Sequence, residues 1–162
     1  DTLISEETST MSTATKTKIV PLISSGTAGP LGALHLPRLW TKLTLGSAGM
    51  LADGYDFCGQ GFDQMTITAL GLDKDKTVAY VRDQHPTYTQ FEEWVVAQNG
   101  GNLAKDKIDK HNAAIRGYNH ADELGAQMRG SSKLKDHSVK DAVMLNMLED
   151  LDELRSQAGT SA

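Results

Sequence analysis

The residues best equipped for chemistry sit in two short runs. The first is GYDFCGQGFD, from Gly54 to Asp63. A glycine-rich turn entering a helix can aim backbone N–H groups at an anion, and the helix dipole favours negative charge there. Cys58, close to that helix start, is a candidate nucleophile because such a position lowers a thiol pKa. Asp56 and Asp63 work against both ideas, since carboxylates repel a phosphate and disfavour a thiolate. The run lacks the Gly-Lys-Ser/Thr ending of a phosphate-binding loop, and no strand precedes it as a dinucleotide fingerprint needs. The plainer reading is a tight turn around one packed thiol.

The second run is HNAAIRGYNH, from His111 to His120. Asn112, Arg116 and His120 are spaced i, i+4, i+8, so they share a face if one helix carries all three. Arg116 could then hold a carboxylate or phosphate as a fork, with His120 carrying a proton. The competing reading is a polar network that anchors neighbouring loops. The candidate ligand-binding set is therefore Asp56, Cys58, Asn112, Arg116 and His120, with Cys58, Arg116 and His120 as the catalytic candidates should the protein be an enzyme. No metal site is expected. His111 and His120 are too far apart for joint ligation on one helix, and Glu149, Asp150, Asp152 and Glu153 lack the spacing and central glycine of a calcium loop. No cofactor is expected either.

These runs need helices to position them, and the chain from Leu36 onward supplies a helical pattern. Pro37 suits a first helical position, followed by an apolar face of Leu36, Leu39, Trp40 and Leu43. Phe62, Met65, Ala69 and Leu70 suggest a short helix, and Asp73 is a plausible N-cap for the next. Thr87 and Gln90 have capping-box spacing ahead of Phe91, Trp94 and Val95. Asn102 is expected to cap a long helix through Ile108, Ile115 and Tyr118. A last helix opens near Ser138 and Asp141, with Val139, Val143, Met147, Leu151 and Leu154 on one stripe. Met144, Met147 and Trp94 read as core. Trp40, Phe91, Trp94, Ile115 and Val143 are expected to meet in one shared core. The predicted fold is all-α, an irregular bundle of about five or six helices at 36–157, with a tail at 158–162.

Residues 1–35 read differently. Of the first 30 residues, 12 are Ser or Thr, and the large apolar residues keep neither a helical nor a strand period. This is an extended Ser/Thr/Gly-rich arm. In isolation its ordering entropy, about 1–2 kcal/mol per residue, exceeds what its apolar surface returns. If the arm is ordered, something must hold it in place: the protein's own body, a second copy or another chain, and the expected use is docking on a protein partner or a second copy.

The motifs LPRLWTK (Leu36–Lys42), GYDFCGQGFDQM (Gly54–Met65), FEEWV (Phe91–Val95) and HNAAIRGYNH together resemble a family of small bacterial and algal proteins known only as a domain of unknown function. That resemblance spans about residues 36–155 and implies one compact domain in a soluble compartment. It brings no catalytic or binding residues with it.

Composition removes several classes. The 162 residues carry a formal charge of −5 and only 6% aromatics, which argues against a nucleic-acid module. One cysteine excludes a disulfide framework within the chain. The longest uncharged run, Ile19 to Pro37, contains three prolines and three glycines, so no membrane span is expected, although attachment to a membrane-bound assembly stays open. No basic segment leads into a compact apolar stretch, so the expected location is intracellular rather than secreted: cytoplasm, or an organelle matrix such as the plastid stroma. The expected function is a non-catalytic accessory or interaction subunit whose arm docks on a larger assembly. The alternative is a small-substrate enzyme or ligand-binding domain built on the Cys58 turn and the His111–His120 face.

Overall fold

A computed structural model describes residues 16–160, so the part of the expected arm at 1–15 and the last two residues lie outside it. The described chain is all-helical, with isolated bridges at Ile19–Leu51 and Asn119–Asp141. Its order is α1 (Leu36–Ser47), α2 (Phe62–Ala69), α3 (Lys74–Gln84), α4 (Tyr88–Gln98), α5 (Lys105–Gly117), α6 (Asp122–Ser131) and α7 (Ala142–Thr160). Seven helices among the described residues exceed the expected five or six, and α6 is the one the sequence pattern did not announce.

Helix starts follow local chemistry where the sequence offers it. Pro37 opens α1, the Asp73 side chain accepts from the Lys76 amide at 2.8 Å, and Thr87 and Gln90 close both halves of a capping box. α5 departs from expectation. Its N-cap is Ala104 without a side-chain cap, and the helix stops at Gly117, where Tyr118 turns extended. α7 begins at Ala142, with the Asp141 carboxylate accepting from the Met144 amide at 3.1 Å.

The apolar interior is divided. Leu36, Leu39 and Leu43 of α1, Ile67 and Leu70, Val81, Phe91, Val95 and Ile108 form one cluster, with Trp40 and Trp94 half-buried against it. Leu34, Phe62, Ile115 and Ala142 form a second, with Met65 and Val143 at its edge. The expected single core of Trp40, Phe91, Trp94, Ile115 and Val143 is thus two. α2 and α5 contribute to both clusters and α1 only to the first, while Arg38 and Lys42 of α1 are buried beside carboxylates.

Residues 16–35 run over the body without regular structure. The Ile19 amide donates to the Met50 carbonyl at 2.7 Å, and its carbonyl accepts from Ala52 at 3.0 Å. Arg38 donates to the carbonyls of Pro21 and Ile23, Glu92 accepts from the Leu31 amide, and Asn112 clasps Leu34 and Gly32. At Gly29 a β-carbon would lie 2.4 Å from the Tyr88 ring, so only glycine lets the segment approach α4 this closely. Gly26 lies beside Val143, and Gln157 of α7 donates to the Lys18 carbonyl at 3.3 Å. The segment therefore runs antiparallel to α7.

Candidate functional site

A cavity of about 280 Å³ opens where α1, the glycine turn, the start of α2 and the His120 segment converge. α1 supplies its floor because Arg38 and Lys42 lie one turn apart, with His35 at the helix N-cap beside them. Lys and Arg are rarely buried unless paired, and here each has a carboxylate. Arg38 holds Asp150 of α7 through two N–H donors at 2.7 and 3.0 Å. Lys42 holds Asp63. Tyr55 from the glycine turn adds a hydroxyl to Asp150 at 2.9 Å.

Asp63 sits in the first turn of α2 and is only 3% exposed. One carboxylate oxygen takes His35 Nε2 at 2.7 Å, and the other takes Lys42 and the Gly59 amide at 2.8 Å. Burial alone would raise its pKa, but the His35 hydrogen bond and the Lys42 charge outweigh it and hold the carboxyl at about 2. The glycine turn does cradle an anion, and that anion is the protein's own Asp63. The same closeness fixes Gly59, where a β-carbon would meet Asp56 Oδ2 at 2.7 Å.

His35 is 2% exposed and adopts a left-handed φ of 69°, a conformation that costs a non-glycine residue energy. Burial pushes its pKa down despite Asp63 beside it, so the ring is neutral. An ionised Asp63 only accepts, which places the imidazole proton on Nε2. Nδ1 then accepts from the Ser25 hydroxyl at 2.9 Å. Ser25, His35 and Asp63 thus form a relay of the serine-hydrolase type with its two ring nitrogens exchanged. Ser25 is itself only 2% exposed and does not line the cavity. Its hydroxyl has no substrate access, and the relay ties residues 24–26 to α1 and α2.

The residues singled out from sequence are dispersed. Asp56 and His120 both line the cavity, with His120 Nε2 against Asn146 Oδ1 at 2.8 Å. Cys58 lies on the far side of the turn, in a separate groove with Lys74 and Arg82. Burial, and then the Asp63 charge, push its thiol up, and Lys74 and Lys42 only partly offset them. A thiolate nucleophile is disfavoured. Arg116 is exposed on α5 and does not line the cavity. Asn112 is consumed by the backbone of Gly32 and Leu34. Because α5 ends at Gly117, the expected stripe of Asn112, Arg116 and His120 does not form: His120 belongs to the bridge segment, its amide donating to the Lys140 carbonyl.

Sequence reasoning missed Ser25, His35, Arg38, Lys42 and Asp150. Their partners are 10 to 112 residues away along the chain, so no local spacing announces them. The one available signal was two cations at i, i+4 on a helix whose remaining face is apolar. Among the described residues no group of three or more His, Cys, Asp or Glu side chains could hold a metal ion. No family model matches the chain, and no curated protein matches it either. No helix among the described residues is long and apolar enough to cross a membrane.

Proposed function

We propose that the protein is a non-catalytic interaction subunit that docks through the face made by residues 16–26 and α7. The carrying observation is the distribution of apolar surface. Ile19, Leu22 and Ile23 are 36–49% exposed, and Met144, Met147, Leu151 and Leu154 on α7 are 40–49% exposed. Scattered single apolar residues on a surface are ordinary, but two adjacent strips of them mark an interaction site. The cavity behind them supports the same reading, because its floor cations and carboxylates already satisfy one another. A free, unactivated thiol fits a reducing compartment, cytoplasm or an organelle matrix. A photo-reactive side chain at position 22 tests docking in cells. One discrete adduct, lost when Leu151→Glu is added, is the expected result, and no adduct overturns the reading.

A second reading rests on a specific observation, that Asp56, His120, Tyr55 and Tyr118 line one cavity. That arrangement suits a small hydrogen-bonding ligand. Saturable shifts of the Tyr55 and His120 ring resonances on titration with small polar metabolites would favour it.

A further inference from the structure

The exposed stripe on α7 has internal order. Met144, Met147, Leu151 and Leu154 follow spacings of three, four and three, the a and d positions of a heptad seam. On α7 the buried side is Ala142, Leu145 and Asp150, while Val143 and Gln157 border residues 18–26 and Asp150 reaches that segment through Arg38. Met147 and Leu154 lie next to that border, so the seam and the Ile19, Leu22 and Ile23 strip form one patch. Seven large apolar residues, each 36–49% exposed, make up this patch, and a specific interface between two chains needs about 1,000 Å² of total buried surface.

We infer that the partner on this face is a second copy of the chain, packed through α7 in antiparallel orientation about a two-fold axis near residue 149. The inference rests on the interaction reading above and names its partner. Self-complementarity is what an isologous contact demands, and the seam meets it: antiparallel pairing sets Met144 against the other copy's Leu154, and Met147 against its Leu151. The charges choose the direction. Antiparallel pairing brings Arg155 of one copy, whose guanidinium holds Asp152 of its own helix at 2.9 Å, towards the other copy's Asp141, which caps the Met144 amide at the start of α7. Parallel pairing instead brings Arg155 towards Asp150, whose carboxylate already holds Arg38 and Tyr55. Opposed helix dipoles add in the same sense.

Sedimentation of the purified full chain at micromolar concentration should show a species of twice the chain mass. Leu151→Glu, on the exposed seam, should weaken association at least tenfold with an unchanged far-ultraviolet circular dichroism spectrum. Orientation is read by disulfide trapping in a Cys58→Ser background. Chains carrying Met147→Cys, mixed with chains carrying Leu151→Cys, should give the mixed disulfide in preference to either symmetric product. A monomer at every concentration overturns the dimer. So does a position-22 adduct to a different protein, which leaves the interaction reading standing, whereas no adduct at all removes both. A dominant symmetric Leu151→Cys product overturns the antiparallel arrangement.

Discussion

Asp63 accepts from an imidazole, an ammonium and a backbone amide at once, so replacing it strands a buried lysine. Asp63→Ala should cost about 3–5 kcal/mol, the range for removing one partner of a buried ion pair, measured as a fall in the urea midpoint. Two buried histidines set the acid response. His35 and His111 both have pKa values lowered by burial, whereas the unfolded chain takes up these protons near pH 6.5. Below that pH the unfolded state holds more protons, so stability declines as pH falls, by up to about 1.4 kcal/mol per pH unit for each histidine. Urea titrations from pH 7 to 5 should show this slope, and His111→Leu should reduce it by one proton. Cys58 should alkylate slowly at pH 7, accelerating only above the ordinary thiol range of about 8.5. Rapid labelling at neutral pH would contradict the raised pKa and reopen thiol chemistry. At this scale the sequence revealed Cys58, Asp56 and the glycine turn, because they are neighbours in the chain. It concealed the network they surround, because His35 and Asp63 are 28 residues apart.

Elements were more legible where side chains speak to adjacent backbone. The Thr87–Gln90 box and the Asp73 cap are local hydrogen bonds, and both formed as their spacing implied. Thr87→Ala should lower stability by about 1 kcal/mol, the usual value for a lost N-cap, with exchange of the α4 amides as the local readout. α6 escaped notice because Gly125 and Gly130 lie within it, and each glycine costs about 1 kcal/mol of helix propensity. Tertiary contact compensates: α6 packs on α7, and Arg129 donates to the Val139 carbonyl at 2.9 Å. α7 was recognised but its orientation was not. Periodicity marks an apolar stripe without saying what covers it, so Met144 and Met147 read as core and prove exposed. Trp94 shows the same limit on a smaller scale. It is half-buried, stacked on Tyr80 at 4.6 Å between centroids. Trp94→Ala should therefore cost about 1–3 kcal/mol by thermal melting, below the 3–5 of a fully enclosed ring.

Across the whole molecule, one side chain joins α1 to α7, which share no apolar cluster. Arg38 reaches the carbonyls of Pro21 and Ile23 and the carboxylate of Asp150, linking the N-terminal segment, α1 and α7. Arg38→Met removes that link while keeping most of the volume. Hydrogen exchange should then show residues 20–25 and the middle of α7 losing protection together, while α3 and α4 keep theirs. Loss confined to residues 20–25 would mean that α7 is held by its apolar contacts alone. An all-helical body was readable from periodicity, but this division was not, because it depends on which buried faces meet.

The reach of that link also bears on how the protein is made. Arg38 and Asp150 are separated by 112 positions. Synthesis at about 5–20 residues per second leaves the guanidinium without its carboxylate for several seconds or more after it emerges from the ribosome. α3 and α4 can settle on the apolar side of α1 during that interval, and Lys42 can find Asp63, but Arg38 must stay wet. α1 is thus finished by α7, and a nascent chain still lacking α7 remains half-assembled, with open apolar edges that a chaperone could hold.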